Sequence, residues 1–174
     1  MTVPAIELGS SLRPRRSAAW SLVWRASYRL IRLLDPVIRS WIANDLPGLD
    51  GIVELRVVGR RSGRPRRVLV TLLNHAGHWY VGHPNGDAEW LRNAGASGWV
   101  DVDPPAAHGP RFALVVLAPG AERDAVIRAT VTQQPFPADL LYRAARRHVA
   151  AVGVYARLIP IDGGPTAHPA AARR

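Results

Sequence analysis

Residues 52–73 read Ile-Val-Glu-Leu-Arg-Val-Val-Gly-Arg-Arg-Ser-Gly-Arg-Pro-Arg-Arg-Val-Leu-Val-Thr-Leu-Leu. Two runs rich in Val, Ile and Leu predict strands over about 52–58 and 67–74. The turn between them, with its flanks, carries six arginines: Arg56, Arg60, Arg61, Arg64, Arg66 and Arg67. Gly59 and Gly63 permit positive φ and a close approach of the backbone to a ligand. Ser62 adds a hydroxyl and an amide donor, and Pro65 stiffens the exit. Guanidinium groups fork onto phosphate and carboxylate oxygens in bidentate fashion. The stretch therefore reads as a basic hairpin lip that grips a multiply anionic ligand.

Upstream of this hairpin, residues 1–17 are polar and carry Arg13, Arg15 and Arg16, the pattern of a flexible arm. A helical pattern runs from Ala18 to Leu34, with Arg25, Arg29 and Arg32 at i, i+4 and i+7 and with aromatic and aliphatic residues over most of the remaining circumference. Asp35-Pro36 has the form of an N-cap followed by proline at the first helical position, which predicts a second short helix to about Asn44. Pro47-Gly48 breaks the chain before the first strand. Downstream, His75-Ala-Gly-His78 predicts a turn into a strand over Trp79–Gly82. His83-Pro-Asn-Gly86 predicts a further turn, and Asp87 an N-cap for a helix to about Ala96. Two strands follow, Trp99–Val102 and Arg111–Leu117, then helices over 121–132 and 137–149 and a last strand over 152–161. About six short strands with helices packed among them predict an α+β fold built on a small β-barrel.

The 174 residues and a 48% hydrophobic composition fit one domain with a sizeable core. The expected organisation is a basic arm with N-terminal helices over 1–50, a barrel over 51–162 and a disordered tail over 163–174. With no cysteine, a disulfide framework, a thiolate metal site and a cysteine nucleophile are excluded. The net charge is +10, carried by 23 arginines without a lysine. That sign implies anionic partners: nucleic acid, an anionic membrane surface or a phosphorylated small molecule. No apolar run reaches the length of a membrane span. No secretory signal is evident, which leads to the expectation of a cytoplasmic protein, peripheral on the inner face of the membrane if the N-terminal helix anchors it.

The Gly-Arg-Arg-Ser-Gly-Arg-Pro-Arg loop, Asn85-Gly-Asp87 and Trp90-Leu-Arg-Asn93, in this order and spacing, resemble the deazaflavin-dependent nitroreductase and quinone reductase family. The Gln133–Tyr142 segment looks like the C-terminal part of one branch. The resemblance runs from about Ile52 to Ile161. It implies a split β-barrel, coenzyme F420 as cofactor, and hydride transfer from reduced deazaflavin to a small apolar acceptor such as a quinone or nitroaromatic. Carried over residue by residue, it assigns the cofactor phosphate to Arg60, Arg61, Ser62 and the loop amides at Gly63, and the tail carboxylates or the phosphate flank to Arg64 and Arg66. Pro84, Asn85 and Gly86 would lie along the deazaflavin ring, with Trp90 and Asn93 closing the pocket. Tyr142 and His83 are the side chains to test first for proton donation or substrate contact. The chain departs from the family at His83-Pro84, where better-characterised members carry Ser or Ala.

Other classes stay open on the residues. The chain could be a non-catalytic binder of the deazaflavin, or of FMN or haem on the same fold. A nucleic-acid-binding barrel is disfavoured, because the aromatics cluster in helices and at strand ends rather than across strand faces. His75 and His78 lack a third ligand, so no metal is expected. The helix from Ala18 is either an interfacial membrane anchor or a helix packed across the barrel with snorkelling arginines. A monomer or a homodimer is equally compatible.

Overall fold

The computed structural model describes residues 15–44, 49, 51–103 and 111–161. Expectations for the N-terminal arm up to residue 14, the Pro47-Gly48 break, the Pro/Gly-rich loop over 104–110 and the tail after residue 161 lie outside the described residues. The fold is α+β. Seven strands form one antiparallel sheet: β1 (Ile52–Val58), β2 (Pro65–Thr71), β3 (Leu73–His75), β4 (His78–His83), β5 (Trp99–Asp103), β6 (Arg111–Val116) and β7 (Val154–Pro160). Five helices accompany them: α1 (Ala18–Ala43), α2 (Glu89–Ser97), α3 (Ala121–Gln133), α4 (Ala138–Ala144) and α5 (Arg146–Val152).

The strand order β2-β1-β5-β6-β7-β4-β3 explains the curl. β2 and β3 are the two edges of the sheet, yet only Leu72 separates them in the chain. A flat seven-stranded sheet would set its edges roughly 28 Å apart at the usual strand spacing, a gap that a single residue cannot span. The sheet therefore curls until the ends of its two edge strands meet at Leu72, an open half-barrel. The count is seven rather than six because the expected second strand divides at Leu72, whose N–H donates to the Gly51 carbonyl at 2.7 Å rather than to a strand partner.

Alternation along the strands builds two cores. The barrel interior collects Val53, Leu55 and Val57 from β1, with Val81, Val100, Val102, Leu114, Ala156 and Leu158. The opposite face supplies Leu73, Tyr80 and Tyr155, on which α3, α4 and α5 pack through Val126, Ile127, Tyr142 and Val149. Trp24 of α1 joins this second cluster at 3% exposure. Gln133 finishes the β3 edge. Its amide accepts from the Asn74 N–H at 2.8 Å and donates to the Asn74 carbonyl at 2.7 Å, standing in for a neighbouring strand.

The N-terminal helices differ from expectation. α1 is one continuous helix of 26 residues with Pro36 inside it. Proline in a helix interior removes a hydrogen bond and crowds the preceding turn, at about 3 kcal/mol. Tertiary contacts offset that cost. Asp35, the expected cap, instead accepts from Arg39 Nε at 2.8 Å one turn on, and Arg39 also pairs with Glu54 of β1. Glu54 is within ion-pair reach of Arg67 too, at 3.3 Å, so a nearly enclosed carboxylate pins α1 to the sheet. The actual N-cap is Ser17, whose hydroxyl accepts from the Trp20 N–H at 3.3 Å. Two smaller differences follow the same logic. α2 begins after Ala88 without a side-chain cap, because Asp87 is engaged by Arg25. The expected helix over 137–149 breaks at Ala145 into α4 and α5.

Candidate functional site

The arginine lip connects β1 to β2 as a compact six-residue turn, residues 59–64, with Val58 paired to Pro65. The Gly59 N–H donates to the Arg64 carbonyl at 2.9 Å, and the Gly63 N–H donates to the Gly59 carbonyl at 2.8 Å. The two glycines serve different needs. Gly63 takes the positive φ, at 64°. Gly59 is needed for space, since a Cβ there would lie 2.8 Å from Ser62 Oγ and 3.1 Å from the Arg64 carbonyl oxygen.

Arg60 is fastened rather than free. Its guanidinium donates to Glu89 at 2.6 Å and to Asn93 Oδ1 at 3.2 Å, and its backbone N–H reaches the same Asn93 oxygen at 3.3 Å. α2 thus holds the lip by its first residue. The hydrogen bonds from Arg60 and Arg92 keep the Glu89 carboxyl below the usual glutamate range. Arg61, Arg64 and Arg66 are exposed and make no ion pair among the described residues.

The lip forms one wall of a cleft of about 1090 Å³. Arg60, Arg61, Ser62 and Arg66 border it, as do Trp90 and Asn93 of α2, Val68 and Val70 of β2, and Gln134 and Ala138 at the α3–α4 junction. α1 supplies the remaining wall with Tyr28, Arg29 and Arg32. Its basic stripe therefore faces the arginine lip across the cleft, a meeting that no sequence spacing announced. Seven arginines and three carboxylates border the cleft. Of the arginines, Arg25 is paired to Asp87, Arg60 to Glu89 and Arg67 to Glu54. Arg29, Arg32, Arg61 and Arg66 have no carboxylate partner among the described residues.

The floor of the cleft is aromatic and hydroxylic: Trp24, Tyr28, Tyr142, Tyr155, Thr130 and His83. Trp24 packs edge-on against Tyr142 at 4.9 Å, and Tyr28 stacks on His83 at 4.5 Å between centroids. The Trp24 indole N–H is buried without an acceptor among the described residues. The Tyr28 and Tyr142 phenols lie close enough to influence each other's titration. Burial raises the pKa of both above the ordinary phenol value, and burial likewise pushes Tyr155, whose hydroxyl has no hydrogen-bond partner among the described residues, up to about 12. All three phenols stay protonated at any physiological pH. Burial lowers His83 to about 4, against a smaller opposing pull from Asp87, so its imidazole is neutral. Its Nδ1 accepts from the Asn85 N–H at 3.3 Å, which leaves the proton on Nε2.

Pro84, Asn85 and Gly86 do not border the cleft. They turn the chain against α5 instead. Asn85 Oδ1 lies 3.0 Å from His148 Nε2, and His148 Nδ1 accepts from the Ser17 N–H at 3.1 Å. Because a backbone amide can only donate, the Nδ1 of His148 is the acceptor and its Nε2–H donates to Asn85. One buried imidazole thereby links the 83–86 turn, α5 and the N-terminus of α1. Gly86 has φ 68°, and a Cβ there would overlap the Val152 carbonyl.

Trp24, Tyr28, Arg29, Arg32, Thr130 and Tyr155 are cleft residues that the hairpin-centred reading missed. One local signal for Tyr155 existed. Gly82 lies within β4, one residue from its end, and a glycine inside a strand marks close approach by another group. That group is the Tyr155 ring, which a Cβ at Gly82 would overlap.

No family model matches this chain, and no curated protein matches it. Solved structures do. An F420-H2 dependent reductase, FDR-A, is 21% identical, over 62% of this chain and 94% of its own, with a TM-score of 0.48. HutZ, the haem storage protein from Vibrio cholerae, is 17% identical, over 75% of this chain and 92% of its own, with a TM-score of 0.47. A candidate 5-nitroimidazole antibiotic resistance protein from Bacteroides thetaiotaomicron is 10% identical, over 64% of this chain and 74% of its own, with a TM-score of 0.42. At these identities and scores the similarities do not carry an activity to this chain.

Proposed function

We propose that the cleft binds coenzyme F420 and that the chain is an F420-dependent oxidoreductase acting on a small apolar acceptor, a quinone or a nitroaromatic. The observation that carries this reading is the convergence of Arg29, Arg32, Arg61 and Arg66 on one cleft whose floor is aromatic. A planar ligand with a phosphate and several carboxylates matches both halves. Its anionic tail answers four guanidinium groups that have no carboxylate partner among the described residues, and its ring system answers the aromatic floor. The Gly59, Arg60, Ser62 and Gly63 amides are taken up by hydrogen bonds within the protein, so a phosphate would be held by the Arg61 and Arg66 guanidinium groups and the Ser62 hydroxyl.

Arg61, Ser62 and Arg66 would hold the phosphate, and Arg29 and Arg32 the tail carboxylates from the opposite wall. Arg64, which does not border the cleft, would serve at its outer flank. Arg60 acts through Glu89 and Asn93 to orient the lip, and Trp90 closes the side. Reduced F420 supplies a hydride from C5 of its ring, and no protein acid is required to generate it. The protein must exclude water, expose one ring face and seat the acceptor. Tyr28 and Tyr142, both protonated, can donate a hydrogen bond to an acceptor oxygen. Neither phenol can act as a base at neutral pH, and the one free nitrogen lone pair of the neutral His83 is already occupied by the Asn85 N–H. His83 is a wall and a hydrogen-bond partner, not an imidazolium acid.

Fluorescence titration of the purified protein with F420 and with FMN tests the reading, followed by addition of menadione to the reduced complex. Micromolar F420 binding with menadione-dependent reoxidation is the expected result. Binding without reoxidation by any acceptor would identify a non-catalytic carrier, FMN binding alone would change the cofactor, and binding of neither would overturn the proposal.

A further inference from the structure

We infer that the outward face of α1 docks on an anionic lipid bilayer, with Arg29 and Arg32 shared between the headgroups and the anion that the cleft binds. At 100° per residue, Leu22, Leu30, Leu33, Leu34, Val37 and Trp41 fall within an arc of about 120° that contains no charged residue. These six side chains are between 43% and 78% exposed. Trp24 and Tyr28 lie on the opposite side, toward the second core and the cleft. The helix is thus apolar on two sides: one side is buried in the fold, and the other is uncovered among the described residues. A scatter of single exposed leucines needs no explanation, but a contiguous stripe along a 26-residue helix marks an interaction surface.

Charge identifies the partner. Arg25, Arg29 and Arg32 run along the border between the apolar arc and the cleft, all three exposed, in a chain of net charge +10. A second copy of the chain is a poor occupant, because antiparallel pairing of two α1 helices would set this basic border against its own counterpart. Anionic headgroups neutralise it instead. With the apolar arc sunk to the acyl boundary, the arginines lie at headgroup level. The helix lies on the bilayer and does not cross it: no helix among the described residues is long and apolar enough to span one. The cleft mouth, bordered by the same Arg29 and Arg32, would then open beside the membrane surface.

The test is co-sedimentation of the full chain with vesicles of phosphatidylcholine alone or mixed with phosphatidylglycerol. Expected are pelleting with the mixed vesicles only, a loss of affinity of about fivefold for each arginine contact screened by added salt, and at least a tenfold loss in a Leu33→Glu/Val37→Glu double variant. Both positions are exposed and away from the cleft, so melting of the variant should match the parent. As a second readout, brominated lipid should quench tryptophan emission less in Trp41→Phe than in the parent. Absence of pelleting on anionic vesicles would overturn the inference. So would equal pelleting of the parent and the double variant, or a stable dimer that the double variant dissociates while the parent ignores vesicles.

Discussion

Tyr28 of α1 stacks on His83 at the end of β4, with ring centroids 4.5 Å apart and planes 23° from parallel. The contact joins residues 55 positions apart and brings the N-terminal helix onto the floor of the cleft. It also makes α1 part of the site rather than an appendage. Tyr28→Ala should cost about 2 kcal/mol, through lost aromatic packing. Tyr28→Phe, which keeps the stack and removes only the phenol hydroxyl beside Tyr142, should cost no more than about 1 kcal/mol. Urea unfolding of the two variants measures the difference.

The buried imidazole at the same contact sets a pH dependence. His83 has its pKa lowered from 6.5 to about 4 by burial, so below 6.5 the unfolded chain binds the proton that the folded chain refuses. Stability is complete above pH 6.5 and falls as the pH drops toward 4, by about 3 kcal/mol from this group. His148, also lowered by burial, acts with the same sign. Urea midpoints at pH 7 and pH 4.5 should differ clearly in the parent, and less in His83→Phe, which keeps an aromatic partner for Tyr28 but cannot titrate.

Asn85 and the arginine lip should separate in experiment. Asn85→Ala removes the acceptor of the buried His148 Nε2–H and should cost about 1–3 kcal/mol of stability, while leaving the F420 dissociation constant unchanged. Arg61→Ala and Arg66→Ala should do the reverse: near-parental melting, with cofactor affinity reduced about tenfold or more for each lost charge-assisted contact. Thermal melts beside fluorescence titrations check both halves. A loss of F420 affinity in Asn85→Ala at temperatures where the variant is folded would bring the 83–86 turn back to the ligand.

Gly82→Ala tests the floor from the sheet side. A methyl group there meets the Tyr155 ring, which is itself fully buried and cannot step away without disturbing the helices above it. Overpacking should cost about 1–3 kcal/mol. Gly63→Ala, where a Cβ would meet nothing within 4 Å but φ is 64°, should cost about 1 kcal/mol from backbone strain alone. Differential scanning calorimetry of the pair distinguishes the two mechanisms.

Much of this was legible along the chain. Val, Ile and Leu alternation in residues 52–58 determined β1, because a two-residue period can bury only one strand face. The glycines and Pro65 determined that the arginines sit in a turn, since Gly63 takes a φ that disfavours other residues and a Cβ at Gly59 would crowd Ser62 and the Arg64 carbonyl. The arginine spacing of 25, 29 and 32 determined a basic stripe. These are local facts, set by backbone sterics and periodicity within a few residues.

Other features were decided only when distant segments met. Asp35-Pro36 and Asp87 have the form of helix starts, yet Arg39 and Arg25 claim their carboxylates, and ion pairs across the fold outweigh local capping. Leu72 divides an apparently continuous strand because the sheet must close on itself there. The stripe on α1 and the lip after β1 became one anion-binding mouth because Trp24 sinks into the second core and turns the helix so that both basic surfaces face the same cleft. Sequence periodicity determines which residues share a face. Which faces confront one another depends on burial and charge pairing between segments far apart in the chain, and only the folded structure expresses it.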